Sequence, residues 1–312
     1  MKIESIKNQF LKGELNKVEF IDAMFQFHTL LGEYSKELKN TEIEKIEIID
    51  GKVIMTTRGT EYHKGGVKLI VDMVDKRTPP LETFNFKSFE KNDSHMIYRL
   101  INPESHVIDI GANIGWYSLH IGSMLKGGSV HSFEPLPETH AKLQENIRLN
   151  NLSNITVNHI ALSEKKQTLT FFFDPYQSGS SSSRDITESP TVVKVDLESI
   201  TFDEYAESKA LTAIDFIKCD VEGAELFVIQ GAQKSLEKYK PIVFAELLRK
   251  WSAKFGYHPN DIFKIFHDLN YTAFYTENTK LVKIDLIDDN TIPTNFFFLH
   301  NEKHATKIKE LC

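Results

Sequence analysis

The sequence predicts an α/β protein: a mostly parallel sheet with helices on both faces, preceded by a smaller α+β subdomain. Three observations carry this expectation. From His106 onward, short apolar runs alternate with amphipathic stretches, the pattern of right-handed strand-helix-strand units. A turn with two glycines, Gly111 to Gly115, falls at the end of the first such strand and opens a helix. The first 88 or so residues lack the alternation and carry helix and hairpin patterns instead.

Within residues 1–88, Phe10, Val18, Phe20, Ile21, Met24, Phe25, Phe27 and Leu31 recur at steps of three and four, so the first ~40 residues read as helix packed on the rest of the chain. Lys45 to Thr56 reads as a hairpin, because Asp50-Gly51 supplies the positive φ values that a two-residue turn needs. Pro79-Pro80 breaks the chain before the second unit, residues 89–312. There, Val107–Ile110, Ser129–Phe133 and Ile155–Ile160 are strands, separated by helices over Trp116–Leu125 and Pro137–Asn150. The alternation resumes with a strand at Ala213–Cys219, a helix at Gly223–Leu236, a strand at Ile242–Ala245 and a helix at Asn260–Leu269. Tyr271–Tyr275, Leu281–Ile284 and Asn295–Leu299 are terminal strands. Between the two runs, Gln167–Phe173 and Thr191–Val195 suggest an added β unit. The Ser/Gly tract that divides them, Asp174 to Ser183, is either a solvated linker or a mobile lid beside a ligand site.

Composition narrows the function. With 312 residues, 41% hydrophobic and 26% charged, the chain is an ordinary globular one with enough length to bury a core. Its formal net charge of −7 and the absence of a dense basic stripe argue against nucleic-acid binding. Cys219 and Cys312 form neither a disulfide framework nor a zinc cluster, and no apolar run approaches ~18 residues. A reducing, cytoplasmic setting with no membrane span is the expectation.

Asp109-Ile-Gly111-Ala112-Asn113-Ile-Gly115 joins a strand to a helix, where glycines let the backbone approach a nucleotide-type cofactor. Glu134, in Phe133-Glu134-Pro135, closes the next strand, where a carboxylate can bond ribose hydroxyls. A dinucleotide would bring a pyrophosphate toward Asp109 and be repelled. S-adenosylmethionine brings an ammonium and a sulfonium, which a carboxylate stabilises. Asn113 in place of a middle glycine points the same way, although a plain helix cap remains a competing role for Asp109.

The chain resembles the FkbM-type family of S-adenosylmethionine-dependent methyltransferases over roughly residues 85–300. The matching stretches include Val107 to Leu119, Phe133-Glu-Pro135, Leu143 to Asn146 with Leu149-Asn150, Ala161-Leu-Ser163, Ile214 to Leu226, Gly231-Ala232 and Pro241 to Glu246. The resemblance implies a class I methyltransferase, Rossmann-like, with a seven-stranded sheet and an antiparallel last strand. It implies O-methylation of a hydroxyl on a sugar, glycan or small natural product. Asp109, Gly111, Ala112, Asn113 and Gly115 then look like the cofactor loop, Glu134 and Pro135 the ribose side, Ala161 and Leu162 the adenine wall. Asp220 would lie against cofactor and acceptor alike. Cys219, where an aliphatic residue is usual, reads as a small buried hydrophobe.

A hydroxyl acceptor must lose a proton, so a base within ~3 Å of it is wanted. Asp220 follows its strand directly and is the first candidate; Glu222 and Glu246 are the other carboxylates at neighbouring strand ends. The expectation is a site without metal, the alternative being one divalent ion held by these oxygens. Glu225 reads as a helix N-terminal charge. His131 and His159 read as core or rim histidines, His258 as a residue able to face an acceptor. Arg249-Lys250-Trp251 is either a contact for an acidic or sugar substrate or a solvated helix end. N-methylation, a non-catalytic cofactor-binding module and a nicotinamide oxidoreductase are the rivals; the acceptor's identity and the oligomeric state stay open.

Overall fold

The computed structural model of the chain describes residues 2–312. It opens with two helices, α1 (Ile3–Leu11) and α2 (Lys17–Glu37), rather than the single one expected. Gly13, at φ +74°, ends the first, and the Asn16 side chain caps the second in a reciprocal box with Glu19. Val18, Phe25 and Leu31 stay exposed and α2 buries no residue, so this helix does not pack its apolar side on the larger domain. The hairpin β1 (Ile43–Ile49) and β2 (Lys52–Thr57) turns through Asp50 and Gly51, both left-handed, and β3 (Lys68–Ile70) completes a small antiparallel sheet. Pro79-Pro80 does not merely interrupt the chain. It begins α3 (Pro79–Phe86), since proline lacks only an N–H that the first turn leaves unpaired anyway. Helix α4 (Lys91–Leu100) leads into the main sheet.

That unit runs β4 (His106–Ile110), α5 (Trp116–Met124), β5 (Ser129–Phe133), α6 (Pro137–Leu149) and β6 (Ile155–Asn158). A satellite sheet comes next, built from β7 (Ala161–Leu162), β8 (Gln167–Phe173) and β9 (Val193–Ile200). The chain then continues through α7 (Phe202–Ser208), β10 (Phe216–Cys219), α8 (Glu225–Gln230), α9 (Gln233–Tyr239), β11 (Ile242–Glu246), α10 (Arg249–Ser252) and α11 (Asn260–Asp268). It ends with β12 (Tyr271–Glu277), β13 (Lys280–Ile284), β14 (Asn295–His300) and α12 (Ala305–Leu311). The helix expected over Gly223–Leu236 is two, parted at Gly231-Ala232. The strand expected to reach Ile160 stops at Asn158, and Ala161-Leu162 leave to pair with β9.

The main sheet has the order β13-β12-β14-β11-β10-β4-β5-β6. The last strand, β14, is antiparallel to both neighbours, while β4, β5, β6, β10 and β11 are mutually parallel. This is the class I methyltransferase arrangement, with β13 added as an eighth strand at the edge. Side chains alternate between two buried cores, one on each face: Val107, Phe216, Ile242, Phe244 and Phe297 on one, Ile108, Ile217, Val243, Ala245 and Phe298 on the other. Burial on both faces explains the nearly unbroken apolar runs that made these strands legible. The strand order reverses between β4 and β10, and the crevice beyond the carboxyl ends of these two strands is the natural ligand site.

The N-terminal sheet is fixed to this crevice through α6. Asn146, buried, accepts the Ile70 N–H at 2.9 Å and donates to the Ile114 carbonyl at 2.9 Å, while Asn150 bonds both the N–H and the carbonyl of Lys68. Side-chain amides thereby satisfy the free edge of β3. Among the described residues no helix is long and apolar enough to cross a membrane.

Candidate active site

The turn after β4 is shaped by backbone that few side chains tolerate. Gly111 sits at φ +78°, and a Cβ there would lie 1.8 Å from the Asp220 carbonyl oxygen, so glycine is required where the β4 and β10 turns touch. Asn113 is left-handed at φ 49°, a conformation that asparagine adopts more readily than other side chains. Gly111 and Ala112 donate to the Phe133 carbonyl, and Asn113 donates its N–H to Glu134 Oε2 at 2.9 Å. The other oxygen of Glu134 accepts the Leu136 N–H at 3.0 Å. Burial outweighs these two donors and pushes the Glu134 carboxyl up to about 7.

Gly111, Ala112, Asn113, Glu134 and Pro135 line one cavity of about 790 Å³, within the range that holds a cofactor-sized ligand. Ala161, Leu162, Asp220, Glu222 and Glu246 line the same cavity. Two sequence candidates do not. Gly115 packs on Leu143, which a Cβ would meet at 2.6 Å. Asp109 points into the α5-side core, fully buried, where it accepts from Ser118 and lies 3.7 Å from Lys218 Nζ. It therefore cannot meet a cofactor ammonium directly, contrary to the expectation from sequence. Asp109 and Lys218 are register partners on adjacent parallel strands, so their side chains share one face of the sheet.

Lys218 is a group that no sequence motif singled out. Its ammonium donates to the Gly111 carbonyl at 2.9 Å and meets Asp220 Oδ2 at 3.1 Å, tying the two turns together. Burial opposes its charge, but the carboxylates of Asp220 and Asp109 outweigh burial and push its pKa up. Cys219, the next residue, faces the other core with no exposure, as a small hydrophobe.

Beyond Lys218 the cavity floor is acidic. One oxygen from each of Asp220, Glu222 and Glu246 lies within 4.8 Å of the others, and Asp220 Oδ1 and Glu222 Oε2 are buried without a hydrogen-bond partner. Burial, and next the charge of Asp220, push the Glu222 and Glu246 carboxyls well above the ordinary range. Glu90, unforeseen because it comes from the turn before α4, joins them. It accepts from the Tyr117 hydroxyl and is pushed by burial to about 7. Glu225 is structural: its Oε1 accepts the N–H groups of Val221 and Gly223 and so folds the turn that presents Glu222 at φ 57°.

The Ser/Gly tract forms part of the cavity wall. It has no apolar anchor, yet Ser178 is buried and donates both its N–H and its hydroxyl to Asp75, and Ser182 donates to the Glu222 carbonyl at 2.7 Å. Polar bonds hold what an apolar contact would otherwise hold, and a freely sampling linker is not what the structure contains. Trp251 lines the cavity, but Arg249 turns away to Asp289. His258 caps α11 through Asp261 and Asn260 and faces no ligand space. His131 is satisfied by the Tyr205 hydroxyl at 2.7 Å, and His159 stacks on His140.

Comparison with known proteins places this geometry. The sequence profile of the methyltransferase FkbM domain matches residues 109–273. The chain is similar to Methyltransferase 1 of Beauveria bassiana, 26% identical over 146 residues, which cover 41% of this chain and 58% of that protein. It is also similar to the hexuronic acid methyltransferase AglP of Haloferax volcanii, 27% identical over 173 residues, covering 55% of this chain and 64% of that one. The chain thus spans less than two thirds of the length of these relatives. Among solved structures it is similar to the methyltransferase FkbM of Methylobacillus flagellatus, 21% identical, with a TM-score of 0.40 over 64% of this chain and 45% of the other.

Proposed function

Since the chain belongs to the methyltransferase FkbM domain family, we propose that it moves a methyl group from S-adenosylmethionine to a hydroxyl of a sugar, glycan or small natural product. One observation carries this reading. The cofactor turn and Glu134 share a single cavity with a carboxylate, Asp220, that has one oxygen held and one oxygen free.

Bound S-adenosylmethionine supplies an electrophilic methyl on a sulfonium, and the chain's task is to position an oxygen in line with it and to take a proton. Gly111 and Asn113 let the backbone lie close against the cofactor, and Glu134 offers its carboxylate to the ribose hydroxyls. Lys218 fixes Asp220 through Oδ2, leaving Oδ1 to accept the acceptor's proton as the oxygen–methyl bond forms and the carbon–sulfur bond breaks. Ser182 and the tract around it keep bulk water from the reacting atoms.

A hard divalent cation is a second reading, because Asp220, Glu222 and Glu246 present an all-oxygen donor set of the right size. These residues would hold the ion, and it would lower the pKa of an acceptor hydroxyl. A chelator separates the two versions. Turnover that survives EDTA supports Asp220 as an unaided base; turnover abolished by EDTA and restored by Mg²⁺ supports the ion.

Glu134 gives the direct test of the cofactor assignment. A carboxylate is the better acceptor for ribose hydroxyls, and this one ionises near 7. Affinity for S-adenosylhomocysteine should therefore rise as pH goes from 6 to 8. Glu134→Gln should weaken binding roughly 10-fold or more and flatten that rise. Calorimetry at three pH values checks it, and equal affinity in both proteins would remove Glu134 from the cofactor site.

A further inference from the structure

Four cations line the cavity, and two of them are spoken for. Lys218 lies between Asp109 and Asp220, and Arg77 pairs with Glu82 at 3.0 Å. Arg184 and Lys194 have no carboxylate partner among the described residues. Each lies instead over an aromatic face: the Arg184 guanidinium 6.0 Å from the Phe255 ring centre, the Lys194 ammonium 5.2 Å from that of Phe172. A ring orients a cation without occupying its donors, so both remain able to bond an anion.

The neighbouring acids are engaged elsewhere. Asp196 and Glu198, on the same face of β9 as Lys194, accept from Thr170 and Thr168. Glu188 pairs with Lys254, and the Asp185 carboxylate accepts the Glu188 N–H.

Position then assigns the pair to the acceptor rather than to the cofactor. Strand β9 begins its pairing with the adenine-side wall at Ser199, opposite Ala161, and Lys194 is five residues away along the strand, roughly 17 Å at ~3.3 Å per residue. Lys194 pairs across β8 with Phe172, which also bridges to Ser182, the residue bonded to the Glu222 carbonyl. Arg184 is two residues beyond Ser182, and its ring partner Phe255 packs on Gly223. Both cations thus stand at the acidic end of the cavity. That floor repels anions, so an anionic acceptor reaches it only if a separate cationic patch holds its charge away from the carboxylates.

Resting on the methyl-transfer reading above, we propose that Arg184 and Lys194 form a subsite for a carboxylate or phosphate group of the acceptor, so that the substrate is an anionic sugar or glycan whose reactive hydroxyl points to Asp220. The test is binding to the protein saturated with S-adenosylhomocysteine at low salt, using methyl β-D-glucuronide, glucose 6-phosphate and neutral methyl β-D-glucoside as probes. At least one anionic probe should bind ~10-fold or more tighter than the glucoside, and whichever does identifies the group recognised. The double variant Arg184→Gln/Lys194→Gln changes two exposed residues and should erase that preference while S-adenosylhomocysteine affinity stays within about 2-fold of wild type; Lys194→Arg alone should keep the preference. No anion preference in the wild type, or a preference that persists in the double variant, overturns the subsite and leaves the methyltransferase reading standing. A loss of S-adenosylhomocysteine affinity in the double variant would assign the cations to the cofactor. Failure of wild-type protein to bind S-adenosylhomocysteine would instead remove the reading on which the subsite rests.

Discussion

Replacing Asp220 with Asn is expected to cut turnover by ~10²-fold or more while the fold stays intact and S-adenosylhomocysteine affinity changes far less. The amide keeps an oxygen for Lys218, so the turn after β10 has no reason to move, but it has no basic oxygen for the acceptor's proton. Asp220 stands where this loss matters most. Its Oδ2 is tied to Lys218 and its Oδ1 has no partner, whereas Glu222 and Glu246 are pushed toward their protonated forms by burial and by Asp220 itself. Steady-state kinetics on Asp220→Asn, Glu222→Gln and Glu246→Gln would rank them. A turnover for Asp220→Asn within a few-fold of wild type would move the base elsewhere in the cluster.

Gly111→Ala is expected to be as damaging by a different route. The added methyl would sit 1.8 Å from the Asp220 carbonyl oxygen in a left-handed backbone, so the β4 and β10 turns must separate. Overpacking and φ strain together cost several kcal/mol, which corresponds to a fall in cofactor affinity on the order of 100-fold or more. The same shift breaks the Lys218 bond to the Gly111 carbonyl and so loosens Asp220. Calorimetry with S-adenosylhomocysteine, alongside circular dichroism to establish that the chain is folded, checks this. Retained affinity would mean that the two turns are not packed as described.

Much of this site was legible because a parallel sheet sends its loops to the carboxyl ends of its strands. Gly111, Glu134, Asp220 and Glu246 each stand just past or at such an end, so finding the strands located them. Asp109 was misread for a related reason: it lies inside β4, where the period of two sends its side chain into a core rather than toward the crevice. Lys218 repeats that position one strand over, and only the register of β10 on β4 reveals that the two charges meet. Glu90 and Asp75 were hidden because they reach the cavity from the N-terminal part of the chain, through contacts with Tyr117 and Ser178 that no local pattern encodes. The breaks at Lys12–Asn16 and Gly231-Ala232 were local and readable in principle, through Gly13, the Asn16–Glu19 box and Gly231.

The central claim is that this crevice takes a phosphate-free adenosyl donor, and calorimetric titration of the purified protein with S-adenosylhomocysteine and, separately, with NAD tests it most directly. Saturable binding of the first at one site per chain, and none of the second, is the predicted result. Binding of NAD without binding of S-adenosylhomocysteine would contradict it.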